Sequence, residues 1–141
     1  MKKKVIAVII LILIALTGFS VYKYIDSIKE EPKLLTEIKL TYKNITSEEA
    51  KIELDKDNTI IVLDVRTEEE YEEGRIPNSV LIPLNELENR ALNELQDKQG
   101  KIFVYCRSGV RSVTACEILI NLGYSNIYNL GGIIDWKYEI E

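Results

Sequence analysis

The apolar positions of this chain fall into short unbroken runs, and polar stretches with helical signals lie between them. "TIIVLDV" (59–65), "SVLIP" (79–83), "KIFVYC" (101–106) and "NIYNL" (126–130) are four such runs. A continuous, β-branched run bounded by turn residues predicts a strand buried on both faces. The intervening segments read as helices. Thr46 with Glu49, and Thr67 with Glu70, each form a capping box, so helices are expected to begin near Ser47 and Glu68, the second stopping at Gly74. "LNELENRALNEL" (84–95) places Leu84, Leu87, Ala91 and Leu95 on one helical face. Residues 111–122 predict another helix, ended by Gly123, and "GGIIDWKYE" (131–139) a closing turn or helix. Doubly buried strands alternating with helices imply an α/β fold, a parallel sheet with helices on both faces. Sites in such sheets form beyond the carboxyl ends of the strands. Asp64 and Cys106 sit at two of those ends.

The first part of the chain has another pattern. Residues 5–22 contain no charged residue and no proline, and "KKK" precedes them. That length is near the minimum for crossing a bilayer as a helix. A helix apolar on every face is a poor surface helix of a soluble core. Residues 1–25 are therefore expected to be a transmembrane anchor or a signal peptide. Tyr22 and Tyr24 lie where interfacial aromatics would, while Gly18 and Ser20 would suit cleavage, and both readings stay open. Either way the lysines stay in the cytoplasm and the remainder lies outside it. Residues 26–41 read as a charged stalk interrupted by Pro32, and residues 42–141 as the globular domain.

Charge narrows the possible partners. The whole chain carries −5, but residues 1–25 hold four lysines and no acid, which leaves −9 on the rest. So acidic a domain is a poor nucleic-acid binder. It can still hold a small anion through local arginines and amides. There is no histidine, which excludes Cys–His hydrolases, Ser–His–Asp triads and most zinc sites. The acid run "EEEYEE" (68–73) reads as a helical first turn, where carboxylates suit the dipole, and not as a cation site. No metal or cofactor is expected.

The chemistry concentrates in "FVYCRSGVRSVTA" (103–115). A buried strand ends at a thiol, and Arg107, Ser108, Gly109, Val110 and Arg111 must turn the chain into a helix. Gly109 permits the dihedrals of a tight turn. A curved loop at a helix start points amide N–H groups inward, which makes a bowl with Cys106 at its floor. Amide dipoles, the helix end and the two arginines favour a thiolate there, a nucleophile that needs no general base. Cys116 shares a helical face with Val113 and Ile120 and reads as packing. The two cysteines are not expected to pair, since one ends a strand and the other lies a turn into the following helix.

These residues resemble those of the single-domain rhodaneses, sulfurtransferases that carry a persulfide on cysteine. The resemblance rests on "LDVRTEEEYEEGRIPNSVLIPL" (63–84), "VYCRSGVRS" (104–112), "LGYSNIYNLGGI" (122–133) and "GGIIDW" (131–136), which occur in the family's order. The chain departs from the family at Arg75, often histidine there, and at Asn78, often glycine. The resemblance implies a three-layer rhodanese-like fold. It also implies attack by Cys106 on a sulfane-sulfur donor such as thiosulfate and transfer of the sulfur to cyanide or a thiol. By the same resemblance, Arg107 to Arg111 would hold the anionic donor, and Asp64 and Arg66 would brace the fold and loop. Phosphatases and arsenate reductases of similar architecture use a loop like C-x5-R. Here Cys106 and Arg111 make C-x4-R, a smaller bowl that suits a sulfur atom better. A noncatalytic partner-binding module, which would commonly lack the cysteine, and a relay for a partner at the cell surface are the other readings; no motif names the protein acceptor.

Overall fold

The structure is a computed structural model that describes residues 18–24 and 41–141. The chain divides into two units, residues 1–39 and 40–141. In the first, residues 18–24 are helical and exposed. Among the described residues no helix is long and apolar enough to cross a membrane. Most of the expected apolar span, 5–22, and nearly all of the expected stalk, 26–41, lie outside the described residues.

The second unit is built on five parallel strands: β1 (Lys43–Asn44), β2 (Ile61–Asp64), β3 (Val80–Leu81), β4 (Ile102–Cys106) and β5 (Ile127–Gly132). Their order across the sheet is β1-β5-β4-β2-β3. The helices are α1 (Ser47–Leu54), α2 (Glu68–Glu72), α3 (Leu87–Glu94) and α4 (Val110–Asn121), and a 3-10 turn covers Ile133–Asp135. The α/β architecture expected from the sequence is the one found. Every residue of β4, the central strand, is buried, because successive side chains enter opposite layers. Ile102 and Val104 join Leu63, Leu87, Ala91, Ala115 and Leu119 under α3 and α4. Phe103 and Tyr105 join Val62, Ala50 and Ile76 under α1.

Both capping boxes form. The Thr46 and Thr67 hydroxyls accept from the Glu49 and Glu70 amides, and each glutamate accepts the threonine amide in return. α3 starts at Leu87, three residues later than its apolar spacing suggests, because Pro83 and Leu84 form a turn whose carbonyls accept from the Glu86 and Leu87 amides. The expected strand 79–83 is regular only over Val80–Leu81, although the Ile82 amide still donates to the Asp64 carbonyl before Pro83, which has no N–H to offer. α3 ends on Tyr124, whose hydroxyl reaches the Ala91 and Leu95 carbonyls at 2.8 and 2.7 Å. In α4 the buried positions are Ser112, Ala115, Cys116 and Leu119. Cys116 packs as expected, with Ile120 partly buried against the same cluster and Val113 half-buried.

The two departures from the family pattern are local. Asn78 has φ +60°, a left-handed conformation that asparagine tolerates better than most residues other than glycine. Arg75 stacks its guanidinium 4.7 Å from the Tyr71 ring centre and donates from Nε to Glu141 at 3.1 Å. The Arg75 and Glu141 backbones also bond to each other in both directions.

Candidate active site

β4 delivers Cys106 to the carboxyl edge of the sheet and α4 begins four residues later. Gly109 is the N-cap of α4, with φ +93°, so the turn rests on a conformation that a side chain would strain. Its amide donates to the Cys106 sulfur at 3.1 Å. The first turn of α4 leaves the amides of Val110, Arg111 and Ser112 without intrahelical acceptors. The sulfur therefore lies beside the positive end of a twelve-residue helix. Cys106 is only 1% exposed, whereas Arg107, Ser108 and Val110 are exposed and Gly109 and Arg111 half-buried.

β5 forms the opposite wall. The register against β4 passes from Val104 with Asn129 to Tyr105 with Gly131, so Leu130 is an extra residue. Such a bulge bends its strand and re-aims the residues beyond it. Here the bulge brings Gly132 level with Cys106. A methyl group on Gly132 would lie 2.7 Å from the Arg107 carbonyl oxygen and 2.8 Å from the Ser108 Cα, so the loop can rest against β5 only where no side chain stands. The Ile134 amide, donating to that carbonyl, ties the loop to the turn after β5. Asn129 joins bulge to helix, its side-chain oxygen accepting from the Gly131 amide at 3.1 Å and the Ser112 hydroxyl at 2.7 Å.

Arg111 does not stand free in the bowl. Its guanidinium forms two hydrogen bonds with Glu70, 2.7 and 2.8 Å long, the forked geometry of a strong arginine–carboxylate pair. Arg111 holds the Glu70 carboxyl down at about 2. Glu70 thus caps α2 and clasps the loop with one carboxylate, a role that the acid run's reading as a solvated helical turn did not include. Glu70, Asn129, Gly132 and Ile134 are neighbours of the loop that the loop's own sequence does not reveal.

Asp64 and Arg66 lie below. Asp64 is fully buried and accepts from the Arg66 backbone amide, Nε and Nη2, the last at 2.6 Å. Arg66 Nη2 also donates to the Gly74 carbonyl at 2.7 Å, which fixes the chain leaving α2. Tyr105 packs under the Arg66 guanidinium, and its hydroxyl accepts from the Ile76 amide and meets the Ser79 hydroxyl. Burial pushes the pKa of that phenol up and keeps it protonated. Both cysteines are free thiols. Burial pushes the Cys116 thiol up to about 12, with the nearby Glu117 charge adding to the shift, so Cys116 stays unreactive at neutral pH.

Residues 46–139 match the rhodanese-like domain family. The Bacillus subtilis protein YrkF is 40% identical over 98 residues, which are 69% of this chain and 52% of that protein, so the chain spans about half its length. A protein of Allochromatium vinosum named sulfurtransferase is 37% identical over 93 residues, 65% of this chain and 85% of that one. The thiosulfate sulfurtransferase PspE of Escherichia coli is 37% identical over 73 residues, 52% of this chain and 70% of that one. Among solved structures, a rhodanese-like domain protein from Staphylococcus aureus superposes with a TM-score of 0.61 at 34% identity, covering 70% of this chain and 96% of its own. The family match spans residues 46–139, nearly all of the second unit, and the chain belongs to the rhodanese-like domain family.

Proposed function

We propose that the domain is a sulfurtransferase that carries sulfane sulfur as a persulfide on Cys106. The observation that carries this reading is the Cys106 sulfur at the floor of the loop, receiving the Gly109 N–H beside the start of α4. Attack requires the thiolate. It displaces sulfite from thiosulfate: the new bond joins Cys106 Sγ to the sulfane sulfur, the donor's S–S bond breaks, and its electron pair leaves with sulfite. The terminal persulfide sulfur is then an anion at a helix start, where unpaired amides and the dipole favour negative charge. Cyanide or a thiolate takes the outer sulfur and returns the Cys106 thiolate. The names of the Allochromatium and Escherichia relatives support this chemistry. Mass spectrometry of the intact protein after incubation with thiosulfate, and again after cyanide, tests it. The expected result is the gain and then loss of one sulfur atom on Cys106; an unchanged mass with every sulfane donor tried would overturn the reading.

We also propose that residues 5–22 are either a membrane anchor that holds the domain on the extracytoplasmic side or a signal peptide whose cleavage leaves the domain secreted. The uncharged run behind three lysines supports this. In intact cells the domain should yield to added protease. Recovery wholly in the cytosol would refute it.

A further inference from the structure

The loop offers a donor two cationic residues, Arg107 and Arg111, but one of them arrives already neutralised. Arg111 is gripped by Glu70 through both guanidinium nitrogens that face it. The carboxylate is also fastened by the Thr67 amide at 3.1 Å, so it cannot swing away without breaking the α2 cap. The pair is half-shielded from water, with Arg111 32% and Glu70 17% exposed, and screening is correspondingly reduced. Arg111 stands in the first turn of α4, two residues after Gly109, whose amide donates to the Cys106 sulfur at 3.1 Å. A thiosulfate dianion entering beside the Cys106 thiolate would bring three negative charges together, where Arg111 contributes little net field. Residues 26–141 add an overall charge of −9, which opposes dianions at longer range.

We propose that Glu70 determines donor specificity: by cancelling the charge of Arg111 beside Cys106, it biases the site toward sulfane donors carrying one charge or none, organic hydropersulfides, over dianionic thiosulfate. This rests on the sulfurtransferase reading above. With such a donor the Cys106 thiolate attacks the outer sulfur of R–S–SH. The donor's S–S bond breaks, R–S⁻ leaves with the electron pair, and Cys106 becomes Cys–S–SH. No oxidant or reductant enters.

The test measures single-turnover persulfidation of Cys106, with thiosulfate and with hydroxyethyl hydropersulfide, in wild type, E70Q, R111Q and the double variant. Glutamine can still accept the Thr67 amide, so the capping box and α2 survive. The readout is the ratio of the thiosulfate rate to the hydropersulfide rate. It should rise about three- to ten-fold in E70Q, the scale of one partly screened charge, and fall by a similar factor in R111Q, which leaves Glu70 uncompensated. It should return to within about two-fold of wild type in the double variant, whose local charge is again zero. If E70Q slows both donors equally, Glu70 is only a strut and the proposal fails. If the R111Q loss persists in the double variant, Arg111 binds the donor directly and the proposal fails. A wild-type protein that takes sulfur from neither donor fails earlier, at the sulfurtransferase reading itself.

Discussion

Replacement of Cys106 by serine is expected to lower sulfur transfer from thiosulfate to cyanide by about a thousand-fold or more, to background. A serine hydroxyl is not ionised at neutral pH, and no histidine exists anywhere in the chain to remove its proton. The substitution should leave the fold intact, because the hydroxyl can accept the same Gly109 amide that now donates to sulfur. Cys116→Ser is the matched control. That residue is fully buried between α4 and the sheet, so the polar replacement should cost about 1–2 kcal/mol of stability while transfer per folded molecule persists. Thiocyanate formation together with urea unfolding separates the two effects. Substantial turnover by the Cys106 variant would remove the persulfide mechanism.

The largest stability effect is expected from Asp64→Leu. Asp64 is fully buried and Arg66 nearly so, and the carboxylate accepts all but one of the hydrogen bonds found for Arg66, the exception going to the Gly74 carbonyl. Removing the acid strands a guanidinium that cannot lose its proton. Breaking such a pair costs about 3–5 kcal/mol, against a typical total of about 5–15 kcal/mol for a domain. Urea unfolding should show a lower midpoint with an unchanged slope. Asp64→Leu/Arg66→Met should recover most of the loss, since a packed apolar pair replaces the buried charges without leaving either alone. A single variant that loses less than about 1 kcal/mol would mean that water already reaches Arg66.

Much of this fold can be read along the chain because its signals are local. Ile102 to Cys106 is one apolar run and one central strand. The Thr46–Glu49 and Thr67–Glu70 pairs are capping boxes within four residues, and the structure makes both. Features made by distant partners escape a linear reading. Strand β1 is Lys43–Asn44, two polar residues with no apolar pattern, and it exists because β5 lies beside it. The buried face of α4 includes Ser112, a polar residue that is buried because its hydroxyl bonds both the Gly109 carbonyl and Asn129, seventeen positions onward. The same limit governs the loop. Cys106 and Gly109 announce themselves within one motif. The partner of Arg111 stands 41 positions upstream, inside an acid run whose helical role already accounts for its composition. Gly132 is one of many glycines until its distance from the Arg107 carbonyl is known.

The two outer strands of the sheet are each only two residues long, and this shapes how molecules of the protein meet one another. A long bare strand edge offers a foreign chain a ladder of free amides and carbonyls, the usual seed of fibrous association. Here one border ends at Lys43, a charge that an incoming strand would have to desolvate, while the Asn44 side chain is occupied by Asn129 at 3.1 Å. At the other border, Arg90, held between Glu86 and Glu94, reaches from α3 toward the Leu81 carbonyl, so that charged side chains stand there too. Each border is too brief to nucleate a cross-molecular sheet and carries charged side chains that an incoming strand would have to desolvate, so among the described residues the sheet offers no long edge as a template at high local concentration.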